Sequence, residues 1–411
     1  MKFTFLGGAN EIGSTALLLE TNEFKCVFEY GLTPTDPPEY PLESPPLDYI
    51  FLTHAHLDHS GMIPLLTRQN SVPFFTSQMT LALSQILLRD NVKICEYEGY
   101  PILYSKGDIQ TMEENLHLVA EGSVCGINSA ELKIHSAGHI PGSIMFNLKF
   151  DKGPRLLFSG DINTIDTQLV TGTTGKKCDI LIMESTYADV DHELRQKIEY
   201  RFINKIHEVV ERGGKVVIPA FAVARTQEIL LLLADLDYEI WLDGLGKDVT
   251  RLFLKEPGFI RNAKKLRRVF DNVHRVRTKV HRKKALAGDI IVTTSGMLDG
   301  GPVLNYIDEL NGDRNHAVLL TGYQVKGSNG RRLLNDGIIN IYGEDKKIEL
   351  DVEYFDFSAH AGHKELINFA NKCKPEHIIL FHGENRETLE NELSDRFQVH
   401  MPINGKSFEI D

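Results

Sequence analysis

Three imidazoles and a carboxylate fall within six residues in Thr53-His54-Ala55-His56-Leu57-Asp58-His59-Ser60, directly after the apolar run Tyr49-Ile50-Phe51-Leu52. The run reads as a buried strand, and Gly61-Met62-Ile63-Pro64-Leu65-Leu66 reads as the start of a helix, so the cluster sits where a strand ends. Side chains two apart on extended backbone share a face, which lets His54 and His56 point at one metal ion. Asp58 and His59 are neighbours and cannot share a strand face; they turn toward a second ion as the chain bends. Imidazole nitrogen and carboxylate oxygen are the donors of a hydrolytic zinc that keeps one position open for water.

Such a centre needs more donors, because each zinc takes about four ligands, one of them water or substrate. Three later positions offer them at the ends of apolar runs: His139 in Ser136-Ala137-Gly138-His139, Asp161 in Phe158-Ser159-Gly160-Asp161, and His382 in Leu380-Phe381-His382-Gly383. Together they supply one carboxylate able to bridge two metals and an imidazole for each side.

The chain has 411 residues, enough for two domains with separate cores. No apolar stretch approaches the roughly 20 residues that span a bilayer, so a membrane partner is not expected. Met1-Lys2-Phe3-Thr4-Phe5-Leu6-Gly7-Gly8 is too Gly-interrupted for a signal peptide and reads as a first strand. Five scattered cysteines without a C-x-x-C pair suggest reduced thiols and a cytoplasmic protein. The net charge of −12 argues against a uniformly basic nucleic-acid binder, yet residues 261–284 carry eleven Lys/Arg against one acid, Asp271. Lys264-Lys265-Leu266-Arg267-Arg268 is either a solvated helix face or a surface that attracts a polyanion.

Residues 1–60 alternate short apolar runs with turns and read as β-rich. Helical periodicity dominates 62–98, and strands are expected at 132–135, 144–150, 155–159 and 180–183. Past Glu184 the texture changes to alternating helix and strand, with helices at 192–211 and 225–236 and strands at 215–218, 239–242, 289–292 and 317–320. After about residue 350 come strand, helix (364–371), strand (377–381) and helix (386–392) again.

These motifs, in this order, resemble the metallo-β-lactamase superfamily and, within it, the β-CASP ribonucleases. The likeness is nearest to the archaeal and eukaryotic cleavage-and-polyadenylation-specificity-factor nucleases. It rests further on Glu184 in Met183-Glu184-Ser185-Thr186-Tyr187, His360 in Phe357-Ser358-Ala359-His360, Ile218-Pro219-Ala220-Phe221, Thr294-Ser295-Gly296-Met297 and Gly322-Tyr323-Gln324. The implied fold is α/β: a metallo-β-lactamase αββα sandwich, residues 1–184 and 351–411, with an inserted β-CASP α/β domain at 185–350. The resemblance implies two zinc ions, manganese being an open alternative. His54, His56 and His139 would hold one ion, Asp58, His59 and His382 the other, with Asp161 bridging. His360 and Glu184, with the ligands Asp58 and Asp161, make up the implied catalytic set. A hydroxide between the metals attacks phosphorus, His360 protonates the leaving oxygen, and Glu184 orients and charges that imidazole.

Two departures stand out. The family has Asp where Phe28-Glu29-Tyr30-Gly31 offers Glu29, a residue expected behind the ligands. Leu242-Asp243-Gly244-Leu245-Gly246 lacks the Ser-Pro of many relatives. The implied activity is hydrolysis of single-stranded RNA in processing, 3′-end formation or decay, as an endonuclease or as a 5′→3′ exonuclease of ribonuclease J type. Arg225, Ser328, Arg331, Lys264, Lys265, Arg267 and Arg268 are candidate phosphate-binding residues. With no residues assigned to appended RNA-binding modules, RNA binding is expected from the two-domain core alone, from a homodimer, or within a larger RNA-processing complex. A small-molecule hydrolase, a DNA-repair nuclease and a silent RNA-binding scaffold are the rivals. The complete ligand set and His382 favour the ribonuclease.

Overall fold

The computed structural model describes residues 1–68 and 72–411 and divides them into two compact units. The first comprises residues 1–166, 171–191 and 359–411; the second comprises 167–170 and 192–358. No helix among the described residues is long and apolar enough to cross a membrane.

The first unit is built on two seven-stranded sheets. Alternation along each strand shows how they stack. Leu17 and Leu19 of Ala16–Glu20 enter the cluster between the sheets, whereas Ala16 and Leu18 enter the one under helix Gln78–Glu98. In the second sheet Ile180 and Ile182 of Ile180–Glu184, with Ile379 and Phe381 of His377–Phe381, face the same central core. Their neighbours Leu181, Met183, Ile378 and Leu380 face helix His363–Cys373. Helix, sheet, sheet, helix is the resulting layer order. Phe28 ties the sheets together, stacking at 4.9 Å on Phe51 and 4.7 Å on Phe158.

Strand direction positions the site. Arg155–Phe158, Ile180–Glu184 and His377–Phe381 are mutually parallel, and Ala130–Ser136 runs the same way because two antiparallel steps separate it from Arg155–Phe158. In the other sheet Lys25–Phe28 and Tyr49–Phe51 are parallel. Six strands therefore deliver their carboxyl ends to two sheet edges, where loops gather side chains.

The second unit has a six-stranded, all-parallel sheet in the order His274–Arg275, Ile240–Asp243, Ile290–Thr293, Val216–Pro219, Ala317–Leu320, Asp351–Tyr354. Its central strands are continuous apolar runs, as sheets covered on both faces require. Helix Pro302–Leu310 packs against Val217, Ile291 and Val318.

Two expectations need correction. The helix expected from Gly61 begins at Ile63, and a separate one-turn helix, Leu57–Ser60, precedes it and carries Asp58 and His59. The stretch 62–98 is also interrupted. Helix Ile63–Thr67 is followed by strand Phe74–Thr76, beside Tyr49–Phe51, before Gln78–Glu98. Three apolar residues are too few to show a period of two against a helical background. Residues 69–71 of that stretch lie outside the described residues.

Candidate metal centre

Most side chains of the centre leave the end of a strand, while Asp58 and His59 stand on helix Leu57–Ser60. His54 and His56 follow Tyr49–Phe51, His139 follows Ala130–Ser136, Asp161 follows Arg155–Phe158, and His382 follows His377–Phe381. Two of these ends turn through left-handed backbone at residues other than glycine, Glu29 (φ 61°) and His382 (φ 56°). Such conformations persist where surrounding contacts over-determine them, which is the usual condition of a functional site. Gly160 (φ 53°), ahead of Asp161, has no room for a side chain: a Cβ there would sit 2.4 Å from Thr53 Oγ1.

The donors converge on Asp161, which is 2% exposed. His54 Nε2 and His59 Nε2 each stand 3.4 Å from its Oδ2, His139 Nε2 stands 3.8 Å away, and His382 Nε2 is 3.8 Å from Oδ1. His56 Nδ1 faces His139 Nε2 at 3.1 Å. Asp58 Oδ2 is 3.8 Å from His59 Nε2 and 3.6 Å from His382 Nε2. Donors about 2.0–2.1 Å from a tetrahedral zinc stand roughly 3.3 Å apart, so these spacings suit ligands that share an ion. His54, His56, His139 and Asp161 form one set with metal-binding spacing; Asp58, His59 and His382 form another.

The far side of each imidazole fixes which nitrogen faces inward. His139 Nδ1–H donates to the Ala359 carbonyl at 2.8 Å. Thr53 Oγ1 engages His54 Nδ1 at 3.0 Å, and Thr15 Oγ1 engages His382 Nδ1 at 2.9 Å. Glu29 is fully buried; its Oε1 accepts the Thr53 amide at 3.0 Å and its Oε2 lies 3.5 Å from His59 Nδ1. The Nε2 atoms of these four rings are thus the inward donors.

Electrostatics and hydrogen bonding suit a cation here. Burial lowers the pKa of His54, His139 and His382, and of His56 to about 4, which favours the neutral, ligating form. His59 departs from them: burial opposes its charge, but Asp161 and Asp58 outweigh it and raise its pKa well above the usual imidazole value. These carboxylates require positive charge at that point, and a metal ion can take the place of the proton. His54 Nε2, His59 Nε2 and Asp161 Oδ1 are buried without a hydrogen-bond partner. Orphaned buried polar atoms cost about 1–3 kcal/mol each. The residues fit the metal.

Beside the ligands, Glu184 is fully buried at its strand end. Its Oε1 accepts the Ile162 amide at 2.7 Å, and its two oxygens lie 3.1 and 3.2 Å from His360 Nδ1. Burial disfavours the charged His360 imidazole, yet Glu184 and Asp161 hold its pKa up at about 9.

Three family models match along the chain. The beta-lactamase superfamily domain covers residues 24–212, the Beta-Casp domain 226–333, and the Zn-dependent metallo-hydrolase RNA specificity domain 345–402. A relative from Methanocaldococcus jannaschii, "Probable RNase MJ4", is 38% identical over 399 residues, 93% of each chain. The chain belongs to the β-CASP family. "RNase aCSPSF2" of Saccharolobus solfataricus is 31% identical, with 98% of this chain and 84% of the relative aligned. "Transcription termination factor FttA" of Pyrococcus abyssi is 33% identical over 95% of this chain and 68% of its own length. A crystal structure of a protein of unknown function from Enterococcus faecalis V583 shares the fold, with a TM-score of 0.65 at 15% identity and 99% coverage of both chains. This is a zinc-dependent metallo-hydrolase family, and the chain is a metallo-hydrolase with an inserted β-CASP domain.

The residues expected to bind RNA in this β-CASP protein all lie in the second unit, mostly with partners inside the fold. Lys265 and Arg268 pair with Asp235 at 2.8 and 2.5 Å, and Arg267 donates to the Leu254 carbonyl at 2.8 Å. Ser328 caps helix Asn329–Asp336 by accepting the Arg331 amide, while Arg331 Nε donates to the Gln324 carbonyl at 3.1 Å. Arg225 begins helix Arg225–Leu233 and is buried; Lys264 is exposed. Thr15, Thr53 and the Ala359 carbonyl went unrecognised in the sequence. Thr53 at least adjoins the histidine cluster, whereas Thr15 meets His382 across 367 positions and leaves no local signal.

Proposed function

We propose that this β-CASP protein is a zinc-dependent ribonuclease that hydrolyses phosphodiester bonds of single-stranded RNA. The observation that carries the reading is the buried Asp161 carboxylate facing His54, His59, His139 and His382 at 3.4–3.8 Å, a geometry for two ions sharing one acid. The relatives named as RNases supply the substrate class. In this assignment His54, His56 and His139 would hold one ion and Asp58, His59 and His382 the second, with Asp161 available to both. The ions, when bound, supply Lewis acidity and an acidified water. The chain supplies the rest. His360 gives its proton to the leaving oxygen through Nε2, because Nδ1 is turned to Glu184. Glu184, fixed by the Ile162 amide, sets the angle of that ring and keeps it charged.

Purified protein incubated with RNA labelled at either end, with and without a chelator, tests this reading. Internal fragments that disappear with the chelator are expected; mononucleotides released solely from the 5′ end would instead identify an exonuclease. No cleavage of any RNA by fully metallated protein would remove the reading. Metal analysis should return two ions per chain and distinguishes zinc from manganese. Sedimentation distinguishes a single chain from the homodimer or larger RNA-processing complex that the family resemblance implies.

Glu29 we assign as the positioning residue for His59. Glu29→Gln is expected to weaken one of the two ions about 10–100-fold and leave the other unchanged, as loss of a supporting carboxylate typically does. Cobalt titration followed by visible absorption reads this without turnover: two equal, wild-type affinities would remove the role.

A further inference from the structure

The basic segment 261–284 separates in the folded chain into two kinds of cation. Besides the pairings of Lys265, Arg267 and Arg268 above, Arg261 donates to the Thr167 carbonyl at 2.8 Å. Arg275 lies 4.9 Å over the Phe270 ring and donates to the Phe270 carbonyl. Arg282 is the anchor. Its Nε donates at 2.8 Å to Asp243, a carboxylate that also accepts from Lys247 and Tyr306.

That anchor sets the roll of helix Lys279–Ala285. Arg282 and buried Ala285 face inward, so Lys279, Val280, Lys283 and Lys284 are left outward, all exposed, with exposed Arg277 just ahead. No acid occurs between Asp271 and Asp289. Lys279 and Lys283 are four apart, a like-charge spacing that weakens a helix in isolation. A solvated structural face normally interleaves both signs. This face carries one sign only, on a chain whose net charge is −12.

We infer that Arg277, Lys279, Lys283 and Lys284 form a docking face for the phosphate backbone of single-stranded RNA, independent of its sequence. Charge complementarity selects a polyanion. The outward face carries no Phe, Tyr or Trp: Val280 is its one apolar side chain, nearby Trp241 is 7% exposed, and the His274 and His281 rings are turned toward that indole. The four cations themselves offer bases no ring to stack on, so they read phosphates. The inference rests on the ribonuclease reading solely for the identity of the polyanion.

Anisotropy of a labelled single-stranded RNA of about 30 nucleotides, titrated with the full chain plus chelator at several salt concentrations, tests the face separately from catalysis. Arg277→Gln/Lys279→Gln/Lys283→Gln/Lys284→Gln is expected to bind at least about tenfold more weakly at about 0.1 M salt. Its log–log salt slope should be shallower by about 3, at roughly 0.7 for each phosphate that the protein no longer neutralises. Lys279→Gln/Lys283→Gln should give about half that change in slope, and Lys265→Gln/Arg268→Gln less than about one unit. Unchanged affinity and slope in the fourfold variant, with an unchanged melting curve, would overturn the inference. So would tighter binding of poly-glutamate than of RNA by the same four residues, which would identify an acidic protein as the partner. Failure of the metallated protein to cut RNA, with the slope difference intact, would remove the ribonuclease reading and leave the docking face standing.

Discussion

Asp161→Ala is expected to slow RNA cleavage on the order of 10⁴-fold and to bring the bound metal below two ions per chain. The size of the effect follows from where the carboxylate sits. Imidazole nitrogens of His54, His59, His139 and His382 all lie within 3.8 Å of its oxygens, and it is 2% exposed. No water can replace it without leaving neighbouring donors misdirected. Burial opposes ionisation of Asp161, but His59, His382 and His54 outweigh it and hold the acid well below the usual carboxylate range. It is therefore an anion ready for a cation at every physiological pH. Metal content and single-turnover cleavage, with circular dichroism to show that the fold persists, read the result. A variant that kept both ions and the wild-type rate would sink the shared-carboxylate assignment.

His360→Ala is expected to cost about 10²–10⁴-fold in kcat on RNA, the usual worth of a positioned general acid. The loss should be far smaller on a diester with a p-nitrophenolate leaving group, which departs without a proton. The acid is competent while protonated, so activity falls as pH rises through its pKa. In the metal-free protein that value is about 9; bound cations beside the ring lower it, so the basic limb of the rate profile lies below 9. Glu184→Gln removes the carboxylate that raises His360 and should move the limb further toward acid. His360→Ala should remove it altogether. Identical basic limbs in all three proteins would show that another group gives the proton. The same shift bears on stability. An imidazole whose folded pKa exceeds its unfolded value, about 6.5, stabilises the metal-free fold fully below that pH. The contribution is lost as pH climbs through about 9.

The side chains that the structure brings together around Asp161 were legible in the sequence because most of them stand just beyond an apolar run. Burial of that run gives away the strand, and parallel strands bring their carboxyl ends to one edge. His139, Asp161 and His382 could be placed by this reasoning without knowing which strands pair, whereas Glu184 came from the family resemblance. Short elements could not. Phe74–Thr76, Leu116–Leu118 and Ser407–Glu409 each have three residues, and their pairing partners, not their own pattern, make them strands. Charge was the other blind spot. Lys264-Lys265-Leu266-Arg267-Arg268 looks like the obvious anion-binding run, yet Asp235, 29 residues ahead of Lys264, neutralises part of it. Salt bridges across that distance depend on how helices pack, which no local spacing records.

His382 comes from a strand made more than three hundred residues after Asp58 and His59. At about 5–20 residues per second, a ribosome that has added His59 works for roughly 15–65 s before it adds His382. Throughout that interval the second ligand set proposed above lacks one of its three members, so the growing chain cannot complete that centre. The order of residues thus works as a timer: the three side chains proposed for the second ion can meet only after the long stretch between them has been made.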